Sequence, residues 1–343
     1  MPPHKLYQKT AQTGKTGTRK CGGLIFMCFH SYKPEGYLLS TQENREYTSS
    51  LAGLERAAAS GKILEGMAIL CDSDLTLTVD LGGITGIIPR SEAAYCPDGE
   101  EVRDIAIITR VGRAVCFKVL SVERSKSGKP LILLSRRQAQ LECREKFLSQ
   151  LRPGDIIDAR ITHLEHFGAF ADIGCGLVSL MSIDCISVSR IAHPRDRFFI
   201  GMSIKAVIKS IDHAAGRVYI SHKELLGSWM ENADAFSVGQ TVSGIVRSIE
   251  EYGIFVELTP NLAGLAEYKE DISVGQTAAV YIKNIIPERM KIKLVLIDSA
   301  HNEQGLRRFR YFLREGETHI DYWRYSPHAC SKIIDTNFCA DGE

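Results

Sequence analysis

Apolar and polar residues alternate with a period of two along much of the chain between residues 61 and 298. Such alternation is typical of strands that bury one face, because successive side chains of a strand point to opposite sides. Many short strands with regular turns indicate a small barrel or sandwich. Within residues 61–137 the pattern predicts strands at 63–71, 75–81, 84–89, 105–111, 113–122 and 130–135.

Two further units show the same alternation. The first of them has a long connection, 182–202, after its third strand, whereas the second has a short one, Tyr268 to Ser273. Five strands with one long third connection are typical of the five-stranded OB barrel. The predicted strands are 156–164, 167–173, 176–181, 203–212 and 217–221 in one unit, and 241–249, 254–258, 263–267, 277–286 and 290–297 in the other.

An internal repeat supports this division. His166-Phe167-Gly168-Ala169-Phe170 in one unit corresponds to Glu251-Tyr252-Gly253-Ile254-Phe255 in the next. Each copy follows a Gly-Asp or Gly-Gln opening, Gly154-Asp155 or Gly239-Gln240, by about thirteen residues. Two copies of one patterned unit predict an all-β repeat architecture, with three tandem OB-fold five-stranded barrels joined by short helical linkers.

The remaining segments are helical or irregular. A Ser at position 40 with a Glu at 43 predicts a helix start, and an Ala-rich helix ends at Gly61. A helix near 300–312 and a strand near 319–325 are expected at the end. The predicted organisation is a flexible basic tail (1–30), lead-in helices (31–60), a degenerate OB barrel 1 (61–137), a linker helix (138–150), OB barrel 2 (151–222), a linker helix (223–235), OB barrel 3 (236–298) and a C-terminal aromatic extension (299–343).

Composition limits the classes of function. The 343 residues carry a net charge of +1, but residues 1–30 hold five basic residues and no acid, which leaves −4 for the remainder. Any contact with nucleic acid must therefore be local. The ten cysteines form no Cys-x-x-Cys pair, which is typical of a reducing, cytoplasmic compartment. The apolar run Gly22 to Phe29 is short for a signal peptide and favours a tail.

No catalytic constellation and no metal-ligand spacing stands out in the sequence. The acids and histidines are spread over predicted surface strands, and no nucleophile elbow occurs. We therefore expect a binding protein that needs no cofactor and no metal, and not an enzyme.

The second unit resembles the RNA-binding domains of the bacterial small-subunit ribosomal protein S1 family. The matching residues are Gly154-Asp155, the run 166–170, Gly176-Leu177-Val178, His193-Pro194, the run 201–205, Ile211-Asp212 and the run 216–221. Residues 236–298 match the first half of the pattern better than the second, and 61–137 are similar to the family's leading, ribosome-docking domains. The resemblance implies single-stranded RNA binding and a role in translation at the small ribosomal subunit.

Aromatic rings at Phe167 and Phe170, and at Tyr252 and Phe255, are candidate platforms for stacking unpaired bases. Residues three apart on a regular strand face opposite sides, so a shared face requires a bulge, which Gly168 would permit. Spacing alone leaves Phe170 equally suited to the barrel core. The resemblance implies that both rings point outward.

Cations and a histidine complete the candidate RNA site. The resemblance places a cation at Arg217, and a histidine at the position that Ser179 occupies here and Glu267 occupies in the third unit. His166 is a possible substitute, and the long loop offers Arg190, His193 and Arg195 for phosphates. Arg217 could instead pair with Asp212, and the loop could be merely solvated. The third unit offers Arg289 and Lys291.

The expected partners are single-stranded RNA or mRNA, and proteins of the small ribosomal subunit through residues 61–137. An RNA chaperone or a decay or transcription factor would use the same domains. A protein–protein adaptor without RNA binding remains an alternative, which the low net charge and the missing histidine favour.

Overall fold

The computed structural model describes residues 32–96, 102–124, 130–300 and 309–339. The basic tail predicted for residues 1–30 lies outside the described residues. None of the helices in the described ranges is long and apolar enough to cross a membrane.

Two short helices precede the first barrel, Gln42–Thr48 (α1) and Leu51–Ser60 (α2). The hydroxyl of Thr41 accepts a hydrogen bond from the N–H of Asn44 and so caps α1. The predicted start at Ser40 is therefore wrong by one residue, because Thr41 supplies the capping oxygen. Helix α2 ends at Gly61, whose φ of 63° is the left-handed conformation that suits glycine at a helix end.

The first barrel is closed by five strands in the order β1-β2-β3-β5-β4. Its predicted strand at 105–111 is wrong, because Asp104–Ile108 forms a single helical turn (α3) that joins β3 to β4 and buries Ile107. The strands are Ile63–Cys71 (β1), Leu77–Asp80 (β2), Thr85–Ile88 (β3), Ala114–Arg124 (β4) and Pro130–Ser135 (β5).

The second and third barrels repeat the same closed strand order, with the fifth strand of each lying beside its third. The predicted fold class of three tandem OB-type barrels is therefore confirmed. The strands of the second barrel are Ile156–Glu165 (β6), Gly168–Asp172 (β7), Val178–Ser182 (β8), Ser203–Asp212 (β9) and Arg217–Ser221 (β10). Those of the third are Thr241–Glu250 (β11), Gly253–Thr259 (β12), Leu262–Ala266 (β13), Thr277–Ile286 (β14) and Lys291–Ala300 (β15).

A buried ion pair fastens the first barrel to the second. Arg136 is the first residue of the linker helix Arg136–Lys146 (α4), and its guanidinium donates to both oxygens of Glu35, at 2.6 and 3.1 Å. The backbone N–H of Glu35 in turn donates to the carboxylate of Asp172 in β7. Burial alone would raise the pKa of Glu35, but the charge and hydrogen bonds of Arg136 hold that pKa below its ordinary value.

A second buried ion pair joins the long loop of the second barrel to the third. Arg197 donates to Glu257 of β12 at 2.5 Å, and both side chains are buried. Arg247 of β11 donates to the same carboxylate at 2.7 Å. Arg197 therefore holds two barrels together.

The linker between the second and third barrels is the short helix Trp229–Ala233 (α5), preceded by a 3₁₀ turn at Lys223–Leu226. The indole of Trp229 is buried in the core of the third barrel. The third barrel therefore draws part of its core from a neighbouring segment, as a unit of this small size requires.

The C-terminal segment, residues 309–339, lies across the second and third barrels. Backbone hydrogen bonds connect it to the second barrel, from Ile156 N–H to the carbonyl of Thr318 and from Ile320 N–H to that of Gly154, both at 2.9 Å. The helix predicted near 300–312 is wrong over the described residues, because Ala300 ends β15 and residues 309–312 are not helical. Residues 301–308 lie outside the described residues.

The same segment completes the core of the third barrel. A two-stranded hairpin, Tyr322–Arg324 (β16) and Asp335–Asn337 (β17), places Trp323 and Tyr325 among its buried apolar residues. The Tyr325 hydroxyl donates to the carbonyl of Asn261 at 2.5 Å. The strand predicted near 319–325 is therefore confirmed over its central residues.

Candidate nucleic-acid interface

Two phenylalanine rings lie together on the outside of the second barrel. Phe167 occupies the turn between β6 and β7 and is 57% exposed, and Phe170 lies half-buried on β7. The ring centroids are 6.0 Å apart at an interplanar angle of 90°, which is an edge-to-face contact. The rings therefore form one continuous apolar surface that solvent reaches.

The predicted bulge at Gly168 is wrong. Gly168 pairs regularly with Glu165 and with Ser182, and the irregularity falls on β6 between Ile161 and His163. Phe167 reaches the outer face because it belongs to the turn, so strand alternation does not apply to it. Gly168 is needed for a different reason: a Cβ there would lie 2.3 Å from the carbonyl oxygen of Met181.

Two histidines stand beside the phenylalanine pair. The ring of His166, in the same turn as Phe167, contacts the ring of His193 from the long loop, with centroids 4.6 Å apart. The Nδ1 of His193 accepts the backbone N–H of Arg195 at 3.0 Å and caps the 3₁₀ turn Pro194–Asp196. The long loop is therefore folded back onto the turn that carries Phe167.

Arg217 lies on the same outer face as Phe170. Phe170 pairs with Leu180 of β8, and Leu180 pairs with Tyr219 of β10. Arg217 precedes Tyr219 by two residues, so the two side chains point to the same side of β10. Arg217 is exposed and stands opposite Asp212 in register, yet no ion pair joins them among the described residues. A cation is thus available at the edge of the aromatic surface.

The prediction that Ser179 lies on the RNA-contacting face is wrong. Its side chain is on the inner face of β8, 2% exposed, and its hydroxyl donates to the carbonyl of Val218 at 2.5 Å. Ser179 closes the barrel between β8 and β10 and cannot replace a histidine. Arg190 and Arg195, by contrast, are exposed on the long loop, where phosphates could reach them.

The third barrel repeats the aromatic pair. Tyr252 is 69% exposed, and its ring meets that of Phe255 edge to face at 6.2 Å. A Cβ at Gly253 would lie 2.4 Å from the carbonyl oxygen of Ala266, so this glycine has the same role as Gly168. The structure thus brings Tyr252 and Phe255 onto one outer face.

Strand register identifies a cation in the third barrel that sequence analysis missed. Phe255 pairs with Leu265, and Leu265 pairs with Lys293 of β15. Lys293 is therefore the counterpart of Tyr219, while Lys291 is the counterpart of Arg217. Lys291 is exposed at the start of β15, and Arg289 is exposed in the 3₁₀ turn before it. Sequence spacing alone does not give this alignment, because it depends on the strand register.

Among the residues of the first barrel that the structure describes, no aromatic ring lies on the corresponding face. By the same register Thr78 takes the place of Phe170, and Ile87 and Leu133 take the places of Leu180 and Tyr219. Arg136 is buried in its pair with Glu35, and Arg137 pairs with Glu92 at 2.7 Å. The first barrel therefore lacks the elements of the stacking surface.

In the described ranges, no group of three or more His, Cys, Asp or Glu side chains is arranged to hold a metal ion. The buried His222 has a structural role: its Nδ1 lies 3.1 Å from the carbonyl oxygen of Ile186, and burial lowers its pKa to about 4. The outer faces of the second and third barrels offer aromatic stacking and positive charge.

Comparisons with known proteins agree with this geometry. The S1 RNA binding domain family matches residues 150–223, which include the whole second barrel. The chain is 30% identical over 242 residues to the small ribosomal subunit protein bS1 of Rhodopseudomonas palustris, covering 66% of this chain and 41% of that protein. It is 26% identical over 306 residues to the bS1 of Rhizobium meliloti, covering 84% and 52%.

A third relative is the bS1 homolog of Bacillus cereus, which is 28% identical over 266 residues, covering 74% of this chain and 65% of the relative. The chain thus spans about half the length of the curated relatives that it matches. The second barrel is an S1 RNA binding domain, and the chain belongs to the S1-domain family that includes the bS1 proteins.

Proposed function

We propose that this protein binds single-stranded RNA through the outer face of its second barrel. The observation that carries the proposal is the exposed edge-to-face pair of Phe167 and Phe170, with Arg217 on the same face. Stacking on a ring suits any unpaired base, and a cation beside the ring neutralises the connecting phosphate. Duplex RNA hides its base faces and would leave the rings unused.

Further contacts surround this centre. His166 and His193 stand at one side of the rings, and Arg190 and Arg195 extend from the long loop beyond them. These side chains would follow the RNA backbone and set its direction without reading sequence.

The third barrel supplies a second, weaker site. Tyr252 and Phe255 repeat the stacking pair, with Lys291, Lys293 and Arg289 nearby. Residues 236–298 nevertheless carry six basic and eight acidic residues, so the field around this site opposes phosphate. Two modest sites on one strand of RNA raise affinity through effective concentration.

We also propose that the protein acts in translation in the cytoplasm, without enzymatic activity, holding mRNA at the small ribosomal subunit. The relatives named above are proteins of that subunit. The first barrel, within residues 61–137, would dock on a ribosomal protein, since Ile69, Leu70 and Leu131 are exposed there and its described residues include no stacking pair. A free RNA chaperone or a factor in RNA decay or transcription would share the RNA site and lack the docking.

RNA binding is tested by titrating the full chain with a single-stranded RNA of about twelve nucleotides at several salt concentrations. A linear fall of log K with log salt is expected, with duplex RNA of equal length competing poorly. No binding at low salt would reject the RNA proposal and favour the protein–protein adaptor.

Ribosome docking is tested separately by co-sedimentation with small subunits. The unaltered chain should pellet with them, and Leu70→Glu should pellet less while retaining its affinity for free RNA. Equal sedimentation of both would reject docking through the first barrel and leave RNA binding intact.

A further inference from the structure

A groove on the second barrel continues from the phenylalanine pair toward the linker helix α4. One wall is formed by Arg144 and Leu148, from the helix and the turn that follows it. The opposite wall and floor include Phe170, Tyr219 and Arg217. The groove has a volume of about 560 Å³, which is within the usual range for pockets that enclose a small ligand.

The position of Arg144 is fixed from two sides. Its guanidinium lies 5.1 Å from the centroid of the Tyr95 ring, which belongs to the first barrel. On the other side it approaches Gly216 so closely that a Cβ there would lie 2.6 Å from one guanidinium nitrogen. Gly216 has a φ of 59° in the turn between β9 and β10. The cation is thus held at the mouth of the groove without an acidic partner among the described residues.

The chemistry of the groove matches a nucleotide. Its lining includes the apolar and aromatic side chains of Leu148, Phe170 and Tyr219, which favour the flat face of a base. Two guanidinium groups, of Arg144 and Arg217, stand at its edges, which favours the phosphates on either side of that base. Asp212 also lines the groove, but its carboxylate accepts the N–H of Ala215 in its own turn.

We propose that this groove is a further nucleotide subsite of the RNA path, in which a base leaving the Phe167–Phe170 pair inserts and Arg144 contacts the adjacent phosphate. The inference rests on the proposed RNA binding. The subsite extends the RNA-binding surface to the linker helix α4. The first barrel contributes indirectly, because its Tyr95 orients Arg144.

The test compares Arg144→Gln with Lys146→Gln, which removes the same charge from the same helix but lies outside the groove. Arg144→Gln should reduce the magnitude of the slope of log K against log salt by about 0.7, the value for one phosphate of a single strand. Lys146→Gln should leave the slope unchanged. Equal slopes for both variants would overturn the subsite.

A second measurement uses the unaltered chain and so does not depend on how a variant folds. A twelve-nucleotide RNA carrying photoreactive 4-thiouridine should crosslink both to the peptide with Phe167 and Phe170 and to that with Leu148. Crosslinks confined to the phenylalanine peptide would overturn the subsite and leave RNA binding in place. A complete lack of crosslinks and of binding would overturn both.

Discussion

Replacing Phe167 with alanine tests the stacking surface most directly. One base stacked on an aromatic side chain contributes about 1–3 kcal/mol. Because about 1.4 kcal/mol changes an equilibrium constant tenfold, the dissociation constant for single-stranded RNA should rise by about 5-fold to about 150-fold. The edge-to-face contact with Phe170 is lost as well, which removes a further restraint on the second ring.

The fold should survive this change. Phe167 is 57% exposed, so its ring contributes only part of the roughly 1.5–3 kcal/mol that a fully buried phenylalanine would contribute. Thermal unfolding should therefore shift by a few degrees at most. The affinity is measured by fluorescence anisotropy of a labelled RNA of about twelve nucleotides at fixed salt.

Phe199→Ala is the matched control. Phe199 belongs to the same barrel and is 52% exposed, and among the described residues its ring contacts neither Phe167 nor Phe170. This variant should bind RNA within about twofold of the unaltered chain. The reasoning is refuted if Phe167→Ala binds equally well while folded, or if both variants weaken binding to the same extent.

Three further predictions concern charge and packing. Burial raises the pKa of Glu65 to about 7, so the folded state favours the protonated carboxyl group. The free energy of unfolding should therefore fall as the pH rises from 5 to 8, by up to about 3 kcal/mol. Urea titrations of Glu65→Gln should lack this part of the pH dependence. Trp323→Ala should cost about 3–5 kcal/mol in stability because the indole is buried in the third barrel, whereas exposed Tyr322→Ala should cost much less by the same titration. Lys293→Gln should reduce the salt slope of RNA binding by about 0.7, and Lys332→Gln, from the C-terminal segment, should not.

The strands could be predicted from the sequence because each barrel buries one face of every strand, so apolar and polar residues alternate along it. The exception, Asp104–Ile108, shows the limit of that argument. A short run such as Ile105-Ala106-Ile107-Ile108 fits a strand or a single helical turn, and the hydrogen bond from the N–H of Thr109 to the carbonyl of Ile105 shows that it is helical.

The candidate site was predictable in its rings and less so in its polar groups. Phe167 and Phe170 follow from a motif, but they share a face because Phe167 lies in the turn before β7, where strand alternation does not apply. Ser179 was misplaced because the face of a β8 residue follows from its pairing with Ala171, which sequence spacing does not reveal.

The contacts between barrels were beyond sequence analysis altogether. Glu35 and Arg136 are 101 residues apart, and Arg197 and Glu257 are 60 residues apart. Nothing local marks either partner, because an acid and a base can pair wherever the fold brings them together. The same holds for Arg144, which faces its groove only because Tyr95 of another barrel lies behind it.

The C-terminal segment has a consequence for the order in which the protein matures. Residues 309–339 supply Trp323 and Tyr325 to a barrel whose strands end at Ala300, and supply backbone partners to a barrel that ends near residue 221. During synthesis both barrels therefore emerge before the residues that complete their packing. The nascent chain should pass through a stage in which the third barrel is incomplete and its apolar surface is open to chaperones, until the last strands have left the exit tunnel.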